Sequence, residues 1–237
     1  MSVEAKVLNV PRGHPELYTT YGETSAFAEA YRVLRINLFQ HNGQSLWSVG
    51  ITGAGPGHGS STTAANLGLI MGEVRARVVL VDCDLLKPSL HHLFEIPNTV
   101  GLSSVLKGEV GVEHALQTVT DHPLLKVVPA GPKVPNPAAL LHAPVLDTFF
   151  ERLRSEADLL ILDMPSVRVV SYTAFLASRI DGLLLVVRSG TTAVGVDRIM
   201  QRQLKGAHVI GAVLNKVSTD GSEVASYRAY AQYNRRR

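Results

Sequence analysis

Residues 47–73 read WSVGITGAGPGHGSSTTAANLGLIMGE, and their order decides the architecture. Residues 47–52 form an apolar stretch of strand character. Residues 61–73 are small and apolar and predict a helix. Between them lies AGPGHGSST, residues 54–62, with glycines at 55, 57 and 59. Glycines let successive backbone N–H groups turn to one side and form a nest for an anion, and the N-terminus of the following helix adds partial positive charge. Strand, glycine-rich turn and helix, in that order, is the context a phosphate loop requires. Taken alone, the turn would also serve as a plain strand-to-helix connection.

A phosphate loop (P-loop) closes on Gly-Lys-Ser or Gly-Lys-Thr, its lysine reaching the β- and γ-phosphates and its hydroxyl meeting Mg²⁺. Here the close is Gly59-Ser60-Ser61. Ser61 stands in the hydroxyl position and Ser60 in the lysine position. A charge-assisted hydrogen bond of that kind contributes about 1.5–3 kcal/mol. Its loss weakens binding about tenfold to a hundredfold. The cost to phosphoryl transfer is larger where charge must be stabilised in passing. His58 is mostly neutral at pH 7 and has the wrong reach.

Further apolar stretches follow at 78–82 (VVLVD), 125–128, 159–163 (LLILD), 182–187 and 209–214. None alternates, so each reads as a strand buried on both faces. Helical stretches are predicted at 25–40, where Tyr31, Leu34 and Leu38 share a face and Gly43 follows, and at 144–155 and 194–204. This rhythm predicts an α/β fold: a single P-loop NTPase domain with a mostly parallel central sheet and helices on both faces. The domain is expected over 25–217, after an irregular segment at 1–24 and before a flexible tyrosine-containing tail at 218–237. Ligands bind such sheets at the carboxyl ends of the strands. Asp82, Asp84 and Asp163 fall there. Carboxylates so placed suit holding Mg²⁺ or taking a proton from an acceptor hydroxyl. Aspartate at a strand end also serves as a helix cap or turn residue.

The 237 residues suit one domain, and 46% hydrophobic content supplies a large core. A net charge of +3 is spread along the chain apart from Arg235–Arg237, and only 6% of residues are aromatic, which argues against a nucleic-acid partner. No apolar run approaches the roughly 18 residues of a membrane span. The first residues lack the apolar core of a signal peptide. A cytoplasmic protein with no membrane span is expected. The single cysteine, Cys83, excludes an intrachain disulfide and is expected at the end of a buried strand.

The stretch Asp82-Cys83-Asp84-Leu85-Leu86-Lys87-Pro88 resembles D-x-D-x-R-x-P, the second Walker motif of the bacterial tyrosine kinases (BY-kinases) of capsule and exopolysaccharide biosynthesis, which are related to the MinD/ParA branch of P-loop ATPases. Residues 159–165 resemble that family's Walker B strand and following D-x-P. Glu29, Arg32 and Arg35 resemble its E-x-x-R-x-x-R motif. Residues 101–109, 135–141 and 180–192 are also similar to the family.

The resemblance implies ATP or ADP with Mg²⁺, weakly held, in a cradle of Gly55, Gly57, Gly59, Ser60, Ser61 and Thr62, with Asn215 near the adenine. It implies Asp82 as base or metal-side carboxylate, supported by Asp84 and Asp163, and Mg²⁺ near Ser61, Asp82 and Asp163. Glu29, Arg32 and Arg35 would pack subunits into a homo-oligomeric ring; from the residues alone they suit a solvated helix face equally. Tyr227, Tyr230 and Tyr233 would be phospho-acceptors; the same spacing also suits a stripe packing a terminal helix. The implied partner is a membrane-spanning polysaccharide chain-length (co-polymerase) adaptor, encoded separately, that recruits the chain to the inner face of the membrane.

Four departures point the same way. Ser60 replaces the loop lysine, Leu86 the arginine of D-x-D-x-R-x-P, and Ser166 the second proline after Walker B; Tyr172-Thr173 replaces an Asp-Ala pair. Lys87 adjoins the lost arginine. The expectation is a catalytically impaired regulatory or assembly component. The alternatives are an active tyrosine autokinase and a MinD/ParA-type nucleotide switch, a branch that usually keeps the lysine.

Overall fold

The computed structural model describes residues 7–8, 16–39 and 46–217. Among them the strands are β1 (Val7–Leu8), β2 (Ser48–Gly53), β3 (Val78–Asp82), β4 (Gln117–Val119), β5 (His122–Val128), β6 (Leu159–Asp163), β7 (Gly182–Arg188) and β8 (Val209–Asn215). The helices are α1 (Ala26–Phe39), α2 (Ser60–Met71), α3 (Leu90–Leu93), α4 (Leu102–Leu106), α5 (Val112–Ala115), α6 (Pro137–Leu140), α7 (Ala143–Leu153), α8 (Tyr172–Ala177) and α9 (Ala193–Arg202). One sheet runs β1-β4-β5-β3-β6-β2-β7-β8. Every neighbouring pair is parallel except β4 with β5.

Every residue of β2, β3 and β6 is buried. That is why these strands read as unbroken apolar runs. Alternate residues serve opposite faces. Val79, Val81, Leu160 and Leu162 join Phe149, Leu153, Leu176 and Ile199 from α7, α8 and α9. Val78, Leu80, Leu159 and Ile161 join Ala28, Tyr31, Leu67 and Ile70 from α1 and α2. The sheet is thus covered on both sides, and β2, β3, β6, β7 and β8 end at a common edge, where the glycine-rich turn lies. The expected α/β P-loop architecture is the one observed.

The details differ in several places. β8, expected to be buried on both faces, is an edge strand in which only Ile210 is buried. Residues 16–20, expected to be irregular, contain a 3₁₀ turn (Tyr18–Thr20), with Leu17 and Tyr18 buried. The Tyr18 N–H donates to Asn66 Oδ1 at 2.7 Å, so this segment packs on α2. β1 and β4 were not anticipated: one has two residues and the other three, too few to set a period. β5 begins at His122, three residues before the apolar run at 125–128. Cys83 is buried just past β3, and burial pushes its thiol pKa well up, the opposite of an activated thiolate. Gly43 and the tail at 218–237 lie outside the described residues.

Candidate functional site

The loop between β2 and α2 is shaped by left-handed backbone at Gly57 (φ +71°) and Gly59 (φ +95°). A Cβ at Gly59 would collide with Asn215 Nδ2, and one at Gly55 would lie 2.8 Å from His58 Nε2. The loop is held from outside. Ala54 N–H donates to Val186 O at 2.9 Å. Arg188 N–H donates to His58 Nδ1 at 3.1 Å. Asn215 Nδ2 donates to His58 O at 2.9 Å, and Lys216 Nζ to Gly57 O at 3.0 Å. Burial lowers the His58 pKa, and nearby cations lower it further, so its ring stays neutral and turned toward β7. It does not replace the missing lysine.

A cavity of about 580 Å³ opens over the loop, bordered by Gly57, Ser60, Ser61, Thr62, Asp84 and Asn215. Leu86 also borders it, and is exposed where the family motif has arginine. Lys87 lies beside it on the same rim.

The three aspartates separate into two kinds. Asp82 and Asp163 are register partners on β3 and β6, and both are buried. Asp82 Oδ1 accepts the Asp84 N–H at 3.1 Å; its Oδ2 accepts the N–H groups of Ser89 (2.9 Å) and Leu90 (3.0 Å) at the start of α3. Asp84 Oδ1 accepts from Leu86 N–H (3.2 Å) and Lys87 N–H (2.9 Å). Both therefore perform the turn and cap role that was the alternative reading of strand-end aspartates. Asp163 does not: neither of its carboxylate oxygens has a hydrogen-bond partner. Burial raises its pKa well above the carboxylate range, and the Asp82 charge adds to that, while the Ser61 hydroxyl nearby works the other way. Burial likewise raises Asp82, against the pull of its three backbone N–H donors.

A buried carboxylate without a partner is costly. A divalent cation would satisfy it, and Mg²⁺ characteristically uses one or two carboxylates together with phosphate oxygens. Ser61 and Asp163, with Asp82 alongside, are the residues that fit the metal, and the Gly57–Gly59 nest fits the phosphates. Among the described residues no group of three or more His, Cys, Asp or Glu could hold a metal by itself. When bound, Mg²⁺ neutralises charge on the phosphate chain.

Glu29, Arg32 and Arg35 share α1, and the two arginines converge on Glu73, a residue outside the sequence motif. Arg32 grips Glu73 through Nε (2.9 Å) and Nη2 (2.5 Å) and reaches Glu29 through Nη1 (3.3 Å). Arg35 Nη1 donates to Glu73 Oε2 (3.2 Å) and to Ile70 O (3.0 Å). Glu16 is also new: its Oε2 accepts from Thr62 Oγ1 at 2.6 Å beside the loop. Lys216 is a basic residue one step past β8 on the ligand edge, a signal carried by the sequence. Tyr227, Tyr230 and Tyr233 lie outside the described residues.

The tyrosine-protein kinase YwqD of Bacillus subtilis is 34% identical to the chain over 209 residues, 87% of this chain and 86% of its own. The chain belongs to the bacterial tyrosine-protein kinases. The kinase domain of the Escherichia coli tyrosine kinase ETK superposes with a TM-score of 0.82 at 29% identity, over 90% of this chain and 84% of that one. The septum site-determining protein MinD of Pyrococcus horikoshii, solved with Mg-ADP, shares the fold at a TM-score of 0.58 and 21% identity, over 76% of this chain and 75% of its own. No family model matches the chain. Among the described residues no helix is long and apolar enough to cross a membrane.

Proposed function

We propose that this BY-kinase relative is a regulatory or assembly component of capsular or exopolysaccharide biosynthesis and export, with phosphoryl transfer impaired and weak Mg²⁺-nucleotide binding retained. One contrast carries the reading. The anion nest and the orphaned Asp163 carboxylate are kept, while Ser60 and Leu86 stand at the cavity where the family places cations. Loss of positive charge costs most where a phosphoryl group moves.

In this reading the chain works in the cytoplasm at the inner face of the membrane. A membrane-spanning chain-length adaptor recruits it, and it assembles with copies of itself through Glu29, Arg32 and Arg35. The tail tyrosines Tyr227, Tyr230 and Tyr233 serve as phosphate acceptors. Protein purified free of other kinases and incubated with Mg-ATP should carry no phosphotyrosine. Robust phosphorylation of the tail in that preparation overturns the impairment and favours an active autokinase.

A further inference from the structure

Lys216 follows β8 and adopts φ +56°, the left-handed region that a residue with a Cβ rarely occupies. Its N–H donates to Asn215 Oδ1 at 2.8 Å, which fixes the turn. The side chain comes back across the phosphate loop, and its ammonium donates to Gly57 O at 3.0 Å. Asn215 grips the next carbonyl, His58 O, at 2.9 Å. Two consecutive loop carbonyls are thereby tied down from the end of β8. The sheet order explains the reach: β8 lies two strands from β2, the strand that feeds the loop, and both end at the same edge.

Lys216 borders the same cavity as Ser60 and Ser61. An ammonium has three donors, and the Gly57 carbonyl takes one. Among the described residues no carboxylate lies within ion-pair distance of it. Among the described residues its charge is uncompensated at the rim of a loop shaped for anions.

We propose that Lys216 supplies the phosphate-binding cation of this site, replacing from the end of β8 the lysine that is absent at position 60. This rests on the reading that the cavity holds a nucleotide. It makes the phosphates, not the base, the part of the ligand that Lys216 recognises.

Calorimetry with Mg-ADP and with adenosine, on the full chain, tests it. Lys216→Met should weaken Mg-ADP about tenfold to a hundredfold and change adenosine affinity less than about twofold. Lys216→Arg should keep most of the Mg-ADP affinity, since the charge remains. Ser60→Lys placed in the Lys216→Met chain should restore it. Thermal melting of each variant without ligand shows whether folding is intact. Equal losses for Mg-ADP and adenosine would reduce Lys216 to a structural brace and overturn the proposal. So would unchanged Mg-ADP binding in Lys216→Met, or a loss seen only in Lys87→Met. Failure of the native chain to bind Mg-ADP at all would overturn the nucleotide reading together with it.

Discussion

Asp82 and Asp163 sit side by side at the ends of β3 and β6, both buried, and of the two carboxylates only that of Asp82 is held by backbone N–H groups. One aspartate holds the turn into α3. The other is stored, unsatisfied, beneath the start of α2. The fold bears that cost where a metal would repay it.

Replacing Asp163 with asparagine should therefore stabilise the ligand-free chain. Removing an unpaired buried carboxylate on the order of 1 kcal/mol corresponds to a rise of about 2–4 °C in Tm for a chain of this size. The same variant should lose the extra stabilisation that Mg²⁺ adds to nucleotide. Thermal denaturation with and without Mg-ADP measures both. A drop in ligand-free Tm would mean that Asp163 is structural.

The pH dependence has a defined sign. Burial raises the pKa of both Asp82 and Asp163 in the fold. Such groups favour the folded state fully below the unfolded carboxylate pKa of about 4. That contribution is lost as pH rises through the raised folded values. Mg²⁺ binds the ionised form, so the Tm increment from Mg-ADP over ADP alone should grow as pH rises through the raised values, about 7 for Asp82. A flat increment would contradict the metal assignment.

Ser60→Lys should tighten Mg-ADP binding about tenfold to a hundredfold in calorimetry. If Lys216 already supplies the cation, the gain in the native background falls toward the lower figure. A Ser60→Lys chain that binds no better than native would show that charge is not what the site lacks.

Arg32 and Arg35 are engaged within the chain by Glu73. An arginine that contacts another subunit must leave Glu73 or share it. Glu73→Ala should cost little stability, about 1 kcal/mol or less for exposed pairs, and should increase self-association in sedimentation velocity. Arg32→Ala with Arg35→Ala should abolish association. Unchanged association in Glu73→Ala and in the double variant would place the subunit contact elsewhere.

The sequence made the central sheet readable because β2, β3 and β6 are covered on both faces, so burial is written as uninterrupted apolar runs. It also marked the glycine nest and the absent lysine, which depend on local chain order alone. What it hid depends on distant partners. Residues 16–20 look polar and irregular, yet Tyr18 is fixed by Asn66 from α2. The hold of Glu73 on Arg32 spans 41 residues, and that of Lys216 on Gly57 spans 159. The division of labour between Asp82 and Asp163 was open for the same reason. Both end buried strands, and only the chain beyond β3 folds back to offer N–H groups.

The claim that lost positive charge separates this site from a working kinase is tested most directly by phosphotyrosine on purified protein given Mg-ATP, native against Ser60→Lys with Leu86→Arg. The expected result is no phosphotyrosine on the native chain and tail phosphorylation in the double variant, abolished by adding Asp82→Ala. Robust phosphorylation of the native chain, lost on Asp82→Ala, would contradict it.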